Sequence, residues 1–118
     1  MTLAQNGCLL RIFLGEDDKH DGRPTYEWLV LTAREHGLAG ATVLRGIMGF
    51  GAHSRVHTFR VERLSLDLPI VVEIVDAPEK IEAFLAVIDP VVHEGLATVE
   101  KADVRFYRAR PSSPGAPP

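Results

Sequence analysis

Pro69-Ile-Val-Val-Glu-Ile-Val75, together with the helical pattern that follows from Pro78, decides the fold of this chain. The first segment is rich in β-branched residues and predicts a strand, in which the proline is tolerated because it comes first. Pro78 suits the first turn of a helix, and apolar residues then recur at the i, i+3, i+4, i+7 spacing of one helical face. Those residues are Ile81, Phe84, Leu85 and Ile88. Asp89-Pro90 ends the helix, because the residue before a proline avoids the α region.

The first half of the chain has the same order of strand and helix. Cys8–Leu14 is almost entirely apolar and predicts a strand with both faces covered or a central place in a sheet. A charged loop over residues 15–22 separates it from a helix that begins at Pro24, and Gly37 is the expected C-cap of that helix.

Two further strands complete the pattern. We expect the second strand over Ala41–Met48, with a bulge at Gly46, and the last strand over Val99–Arg108. Residues 49–68 have no clean period, and a connection of this length in a compact domain is usually either functional or an error in the assignment of its elements. This segment is predicted to be an exposed loop or a protruding hairpin through Val56 to Val61.

The element order βαββαβ predicts an α+β, ferredoxin-like fold, with a four-stranded antiparallel sheet and two helices on one face. A single domain is expected over residues 1–110, followed by a disordered, proline-rich tail over residues 111–118. The uncovered sheet face carries many Val and Ile residues. We therefore expect other subunits to cover it, which makes the protein an oligomer.

Composition narrows the class of function. The chain has 118 residues, a net charge of −3 and a pI near 5.9, which argue against general nucleic-acid binding. No apolar run approaches the roughly 20 residues of a membrane span, so no direct membrane insertion is expected. The N-terminus does not have the pattern of a secretion signal, and the single cysteine, Cys8, cannot form an internal disulfide. A cytoplasmic location is expected.

Half of the ten glycines lie between Gly37 and Gly51, and the run closes on Gly49-Phe50-Gly51. Such a cluster marks backbone that needs positive φ or close approach by another group. One interpretation is a loop gated by a ligand or a partner. The alternative is a glycine-capped helix followed by a bulged strand.

Charged residues suggest further sites, each with an alternative. The acidic segment Glu16–Asp21 is either a metal site or a solvated loop, and Glu16 is the member that could face a cleft between subunits. His53 and His57 lie four residues apart and could hold a metal, or could belong with Arg55 and Arg60 to a basic loop that faces a partner.

The arginines also have two interpretations. Arg45 either contacts a phosphate or carboxylate of a ligand or forms a salt bridge between subunits. Arg108 and Arg110, like Arg105, lie either along a solvent edge or at an anion site. No nucleophile motif or phosphate-binding glycine loop is present, so catalysis is not expected.

Several of these motifs resemble a known family. Gly37–Val43, Gly49-Phe-Gly51 and Leu68-Pro69 running into Glu73-Ile-Val75 resemble the PII signalling proteins. More closely, the chain resembles the uncharacterised PII-like family called domain of unknown function 190. The segments that carry this resemblance are Gly15–Pro24, Arg45–Gly51 and Asp67–Asp76.

The resemblance implies a homotrimer with small-molecule effectors, adenine nucleotides among them, bound in clefts between subunits. By position, Thr42 would line the base pocket, Gly49, Phe50 and Gly51 would form its floor, and Gly95 would belong to the phosphate-side turn. Arg108 and Arg110 would lie near the arginines that follow the last strand. The long loop, about residues 52–68, would then signal to a transporter or an enzyme.

Two other functions remain open on the sequence. One is a trimeric metal-binding protein of the kind that CutA proteins, which have a similar fold, are thought to be. The other is a structural trimer that recognises a membrane transporter without any small ligand.

Overall fold

The computed structural model describes residues 5–51, 57–58 and 67–111, with the backbone alone at 57–58. These residues form two helices, α1 (Thr25–Glu35) and α2 (Pro78–Ile88). The strands in chain order are β1 (Asn6–Gly15), β2 (Lys19–His20), β3 (Arg23–Pro24), β4 (Thr42–Arg45), β5 (Met48–Gly49), β6 (His57–Thr58), β7 (Pro69–Asp76) and β8 (Leu96–Asp103).

The main sheet is antiparallel, with the strand order β4-β7-β1-β8. The two helices cover one face, and side chains alternate between that face and the other along each strand. β7 shows this period over its whole length, because every second residue from Ile70 to Asp76 is buried. The predicted α+β, ferredoxin-like fold is therefore confirmed.

The hydrophobic core lies between this face of the sheet and the two helices. The register places Leu10 opposite Ile74 and Ile12 opposite Val72 in the two central strands. The i, i+3, i+7 stripe of α2 packs onto them through Ile81, Phe84 and Ile88, as the sequence predicted, and α1 adds Leu29 and Ala33. Because both helices pack on one side, the other side of the sheet carries no helix of the described residues.

The predicted second strand is wrong in its bounds and in its bulge. β4 stops at Arg45, and Gly46 lies opposite Pro69 in the same register, with its N–H donating to the Pro69 carbonyl at 2.7 Å. No extra residue is therefore inserted at Gly46. The glycine has a different cause: a Cβ at Gly46 would lie 2.7 Å from the Pro69 ring carbon Cγ. Close approach by a proline, and not a bulge, requires the small residue.

The last strand begins and ends earlier than Val99–Arg108. It runs over Leu96–Asp103, because within the described residues it pairs with β1, whose first paired residue, Asn6, lies opposite Asp103. Beyond that point one main-chain hydrogen bond, from Val104 N to Gln5 O, holds the chain. Val104 and Phe106 thus both follow the strand.

The segment predicted as a charged loop contains the two-stranded hairpin β2–β3. Asp21 and Gly22 both have positive φ, the signature of a type I′ turn. Pro24 precedes α1 instead of forming its first residue. Gly37 follows the helix with φ +72°, and the Leu38 N–H donates back to the Ala33 carbonyl, so its predicted C-capping role is confirmed.

Candidate functional site

A cleft of about 440 Å³ lies on the helix-free face, where β4, β7 and β1 meet the segment after β8. Its floor carries small residues before β4, and aromatic residues from the C-terminal segment form one wall. The lining residues are Leu9, Ala39, Gly40, Ala41, Thr42, Glu73, Val75, Val104, Phe106 and Tyr107. We call this space the Thr42 cleft.

Hydrogen bonds hold the walls of the Thr42 cleft in place. The carboxylate of Asp76 is 2% exposed and accepts the N–H groups of Ala39, at 2.8 Å, and Ala77, at 2.7 Å. The Tyr107 hydroxyl donates to the carbonyl of the same Ala39 at 2.8 Å. Ala39 is thus held from both sides, by a core carboxylate and by the C-terminal segment.

Two polar side chains face each other in the Thr42 cleft. Thr42 and Glu73 are direct partners in the β4–β7 ladder, so their Cβ atoms lie on one face, about 5 Å apart. Within the part of the chain that the structure describes, the Thr42 hydroxyl and Glu73 Oε1 have no hydrogen-bond partner. The cleft therefore offers a ligand one hydroxyl and one carboxylate oxygen side by side.

Arg11 holds the other oxygen of Glu73. Its Nε donates to Glu73 Oε2 at 2.9 Å, and its Nη1 pairs with Glu100 on the other neighbouring strand. The hydrogen bond to Glu73 is the main cause that raises the pKa of Arg11 above its usual value. Partial burial opposes it, and the charge of Glu100 supports it. Arg11 therefore remains a cation that fixes the Glu73 carboxylate.

A second group of predicted residues lies at the end of the sheet from which segment 52–66 departs. The guanidinium of Arg45 forms an ion pair with the Glu16 carboxylate across the start of β7. Gly49 lies against Pro69, where a Cβ would be 3.0 Å from the proline Cγ. The structure thus brings Glu16, Arg45 and Gly49 together, and the partner of Arg45 is a carboxylate of its own chain.

Within one subunit, most of the remaining predicted residues lie far from this group. Gly95 adjoins β8, at the opposite edge of the sheet from Arg45, and three strand spacings of about 4.8 Å put the two roughly 14 Å apart. Arg108 and Arg110 follow the other end of β8 and are exposed, and the Arg108 guanidinium lies 4.3 Å from the centre of the Phe106 ring. Phe50 is 73% exposed, and Gly51 beside it is also exposed.

The predicted partner loop falls largely outside the described residues. His53, Arg55 and Arg60 lie there, and His57 is described by its backbone, which pairs with Gly49 in the β5–β6 ribbon. The predicted hairpin through Val56 to Val61 and the predicted tail extend beyond the described residues as well. The described residues contain no group of three or more His, Cys, Asp or Glu side chains placed to hold a metal.

Sequence reasoning assigned no site role to Glu73 and Tyr107, which line the Thr42 cleft, or to Arg11, which holds Glu73. Glu73 and Arg11 are charged residues inside apolar strand runs, a pattern that could have marked them as partners on one sheet face. Tyr107 carried no such signal, because its role depends on where the chain turns after β8. A separate open groove of about 600 Å³ lies between α1 and the β2–β3 hairpin, beside Trp28, and its lining includes Asp21 of the acidic segment.

With the fold and the cleft described, the chain can be compared with known proteins. The model of the family DUF190, described as "Uncharacterized ACR, COG1993", matches residues 7–104. The chain belongs to this family. A UPF0166 protein of Aquifex aeolicus is 45% identical over 98 residues, which cover 83% of this chain and 92% of the relative. A UPF0166 protein of Methanocaldococcus jannaschii is 35% identical over 101 residues, with 85% and 91% covered.

Solved structures with a similar fold include a PII-like protein and a CutA1 protein. CPII, a nitrogen regulatory PII-like protein from Thiomonas intermedia K12 solved with ADP, AMP and bicarbonate, has a TM-score of 0.64 and 20% identity. The match covers 84% of this chain and 88% of CPII. The divalent ion tolerance protein CutA1 from Ehrlichia chaffeensis has a TM-score of 0.54 and 9% identity, over 88% and 86% of the two chains. The predicted PII-like DUF190 resemblance is confirmed. At these identities the structural matches establish the fold alone.

No helix in the described residues is long and apolar enough to cross a membrane.

Proposed function

We propose that this protein is a cytoplasmic, non-enzymatic PII-like regulator. It assembles as a homotrimer and binds a small anionic effector of the adenine-nucleotide type in clefts between subunits. The observation that carries the proposal is the Thr42 cleft, a space of about 440 Å³ with small, apolar and aromatic walls and two unpartnered polar groups. Such a combination suits a flat ring system with a few polar atoms. CPII, which shares the fold, was solved with ADP and AMP.

Association of subunits completes this site. The helix-free face exposes apolar side chains on three strands, Phe13, Leu44 and Leu96, of which Leu96 is 58% exposed. Among the described residues, β4 and β8 are the edge strands of the main sheet and are open to pairing with another copy. If the β8 edge of one copy meets the β4 edge of the next, the Gly95 turn of one subunit would approach the β4 edge of its neighbour, which carries Thr42 and Arg45.

Arginine near the cleft provides the preference for an anion. Arg108 stacks on Phe106, which forms part of the cleft wall, and Arg110 follows two residues later. A guanidinium binds phosphate or carboxylate groups through paired N–H donors. A ring in the cleft and an anionic group toward Arg108 would use both features of this surface.

Signalling would pass through the segment of about residues 52–68. Its two ends meet the sheet beside Gly49 and Pro69, at the same end as the Arg45–Glu16 pair. An anionic group that competes with Glu16 for Arg45 would break the ion pair that lies beside the two ends of this segment. Differential affinity of the effector for the two arrangements would then shift its docking on a transporter or an enzyme.

Isothermal titration calorimetry with ATP, ADP, AMP, cyclic AMP and bicarbonate tests ligand binding, and analytical ultracentrifugation tests the trimer. Arg108→Gln should weaken nucleotide binding about 5- to 10-fold, as expected for one charge-assisted hydrogen bond, whereas Arg34→Gln on α1 should leave it unchanged. The proposal would be contradicted if neither calorimetry nor equilibrium dialysis detected binding at millimolar nucleotide. It would also be contradicted if the protein were a monomer at micromolar concentration.

Two measurements separate this function from the alternatives. A metal-binding protein of the CutA type would carry stoichiometric divalent metal by mass spectrometry and lose it in the His53→Ala, His57→Ala double variant. A structural partner of a transporter would capture the same membrane protein from solubilised membranes with and without nucleotide. The proposed regulator requires nucleotide to change that capture.

A further inference from the structure

Glu73 carries a hydrogen-bonding feature that the family resemblance did not assign. Its Oε2 is held by Arg11 at 2.9 Å, whereas Oε1 has no partner within the described residues, and the Glu73 residue lines the Thr42 cleft. The Thr42 hydroxyl lies directly across the β4–β7 ladder. In the cleft, the Glu73 carboxylate can therefore only accept a hydrogen bond, whereas the neighbouring Thr42 hydroxyl can donate or accept one.

From this geometry we infer that Glu73, positioned by Arg11, makes the cleft select rings with an amino donor beside a ring-nitrogen acceptor. This inference rests on the proposed function and names its specificity. An exocyclic amino group would donate to Glu73 Oε1, while the Thr42 hydroxyl donates to the adjacent ring nitrogen. A 6-amino purine presents that edge, and a 6-oxo purine in the same pose places a carbonyl oxygen against the carboxylate.

The arrangement can discriminate because the Glu73 side chain is held in one orientation by Arg11. Arg11 bridges Glu73 and Glu100 on the two strands that flank β1, so the guanidinium has little freedom to turn away. A site built to take a donor rejects the analogue that lacks it, because the acceptor is left unpaired once the bound ring covers it. Arg11 acts through Glu73, as a positioning residue.

The test compares ADP with IDP, which differ in the 6-amino and 6-oxo groups. By calorimetry the wild-type protein should bind ADP at least about 10-fold more tightly, the usual result of one hydrogen bond to a charged acceptor. Glu73→Gln should bring the affinity ratio close to one, because a carboxamide can donate or accept. Glu82→Gln, on the exposed side of α2, is the matched control and should keep the wild-type ratio.

Arg11→Met should also lower the ratio, and Arg11→Lys, which keeps the cation, should restore part of it. A variant that only loosened the fold would weaken both nucleotides by the same factor and leave the ratio unchanged, and that outcome overturns the role of Arg11. Equal wild-type affinities for ADP and IDP, or tighter IDP, overturn the inference and leave the proposed function standing. Binding of neither nucleotide overturns both.

Discussion

Replacement of Asp76 by asparagine tests the most buried charge of the sheet and the wall of the Thr42 cleft together. The carboxylate is 2% exposed, and its two oxygens accept the N–H groups of Ala39 and Ala77. An asparagine keeps one acceptor oxygen and turns an NH₂ group toward the second donor. One hydrogen bond to a charged acceptor is lost, which corresponds to about 1.5–3 kcal/mol of unfolding free energy.

Urea unfolding followed by circular dichroism, at one fixed protein concentration, measures this loss. With a slope of about 2 kcal/mol/M, the unfolding midpoint should fall by about 1 M at pH 7. Asp103→Asn is the matched control. The partners of this exposed carboxylate are the exposed Gln5 and Arg105, so its effect should stay below about 0.5 kcal/mol.

A shift for Asp76→Asn no larger than that for Asp103→Asn would refute this reasoning. It would mean that the N–H groups of Ala39 and Ala77 find other acceptors, and that the carboxylate does not hold the loop before β4. If the reasoning is correct, nucleotide affinity should also fall in Asp76→Asn, because the same Ala39 anchors the aromatic wall of the cleft through Tyr107.

Two further changes test local contacts. Gly46→Ala should lower the unfolding free energy by about 1–3 kcal/mol, because the new methyl group would lie 2.7 Å from Pro69 Cγ. Gly40→Ala, with open space around the new methyl group, is the control and should change the melting temperature little. Equal melting temperatures of the two variants would contradict the contact with Pro69. Burial, supported by the charges of nearby carboxylates, raises the pKa of Asp18. The ionised form of Asp18 therefore destabilises the folded protein above that pKa. This destabilisation disappears as the pH falls below the ordinary carboxyl range. Asp18→Asn should therefore raise the urea midpoint at pH 7 and match the wild type near pH 3, and a midpoint at pH 7 no higher than that of Glu82→Gln would show that the charge is not destabilising.

The element order and most of the core could be predicted from the sequence because they depend on local patterns. A β-branched run such as Pro69–Val75 and an i, i+3, i+4, i+7 stripe such as that of Ile81 and Phe84 form one element each, with one buried face. Gly37 after α1 was predictable for the same reason, since a helix end needs a residue that accepts positive φ.

Boundaries that depend on a partner strand were not predictable. β8 ends at Asp103 because β1 begins at Asn6, and Gly46 is small because Pro69 packs against it. Neither cause is visible in the residues around the position itself. The same holds for the Arg45–Glu16 pair, whose members are 29 residues apart in the chain and meet only across the start of β7.

The sequence by itself determined the ferredoxin-like order, the helix-covered core and the family, because these follow from the period of apolar residues and from contiguous motifs. Tertiary structure alone decided the chemistry of the Thr42 cleft. Glu73, Arg11 and Tyr107 come from three separate segments, and the role of each depends on strand register and on the path of the chain after β8. Local sequence encodes which face a side chain takes, whereas its neighbour on that face is set by the pairing of distant strands.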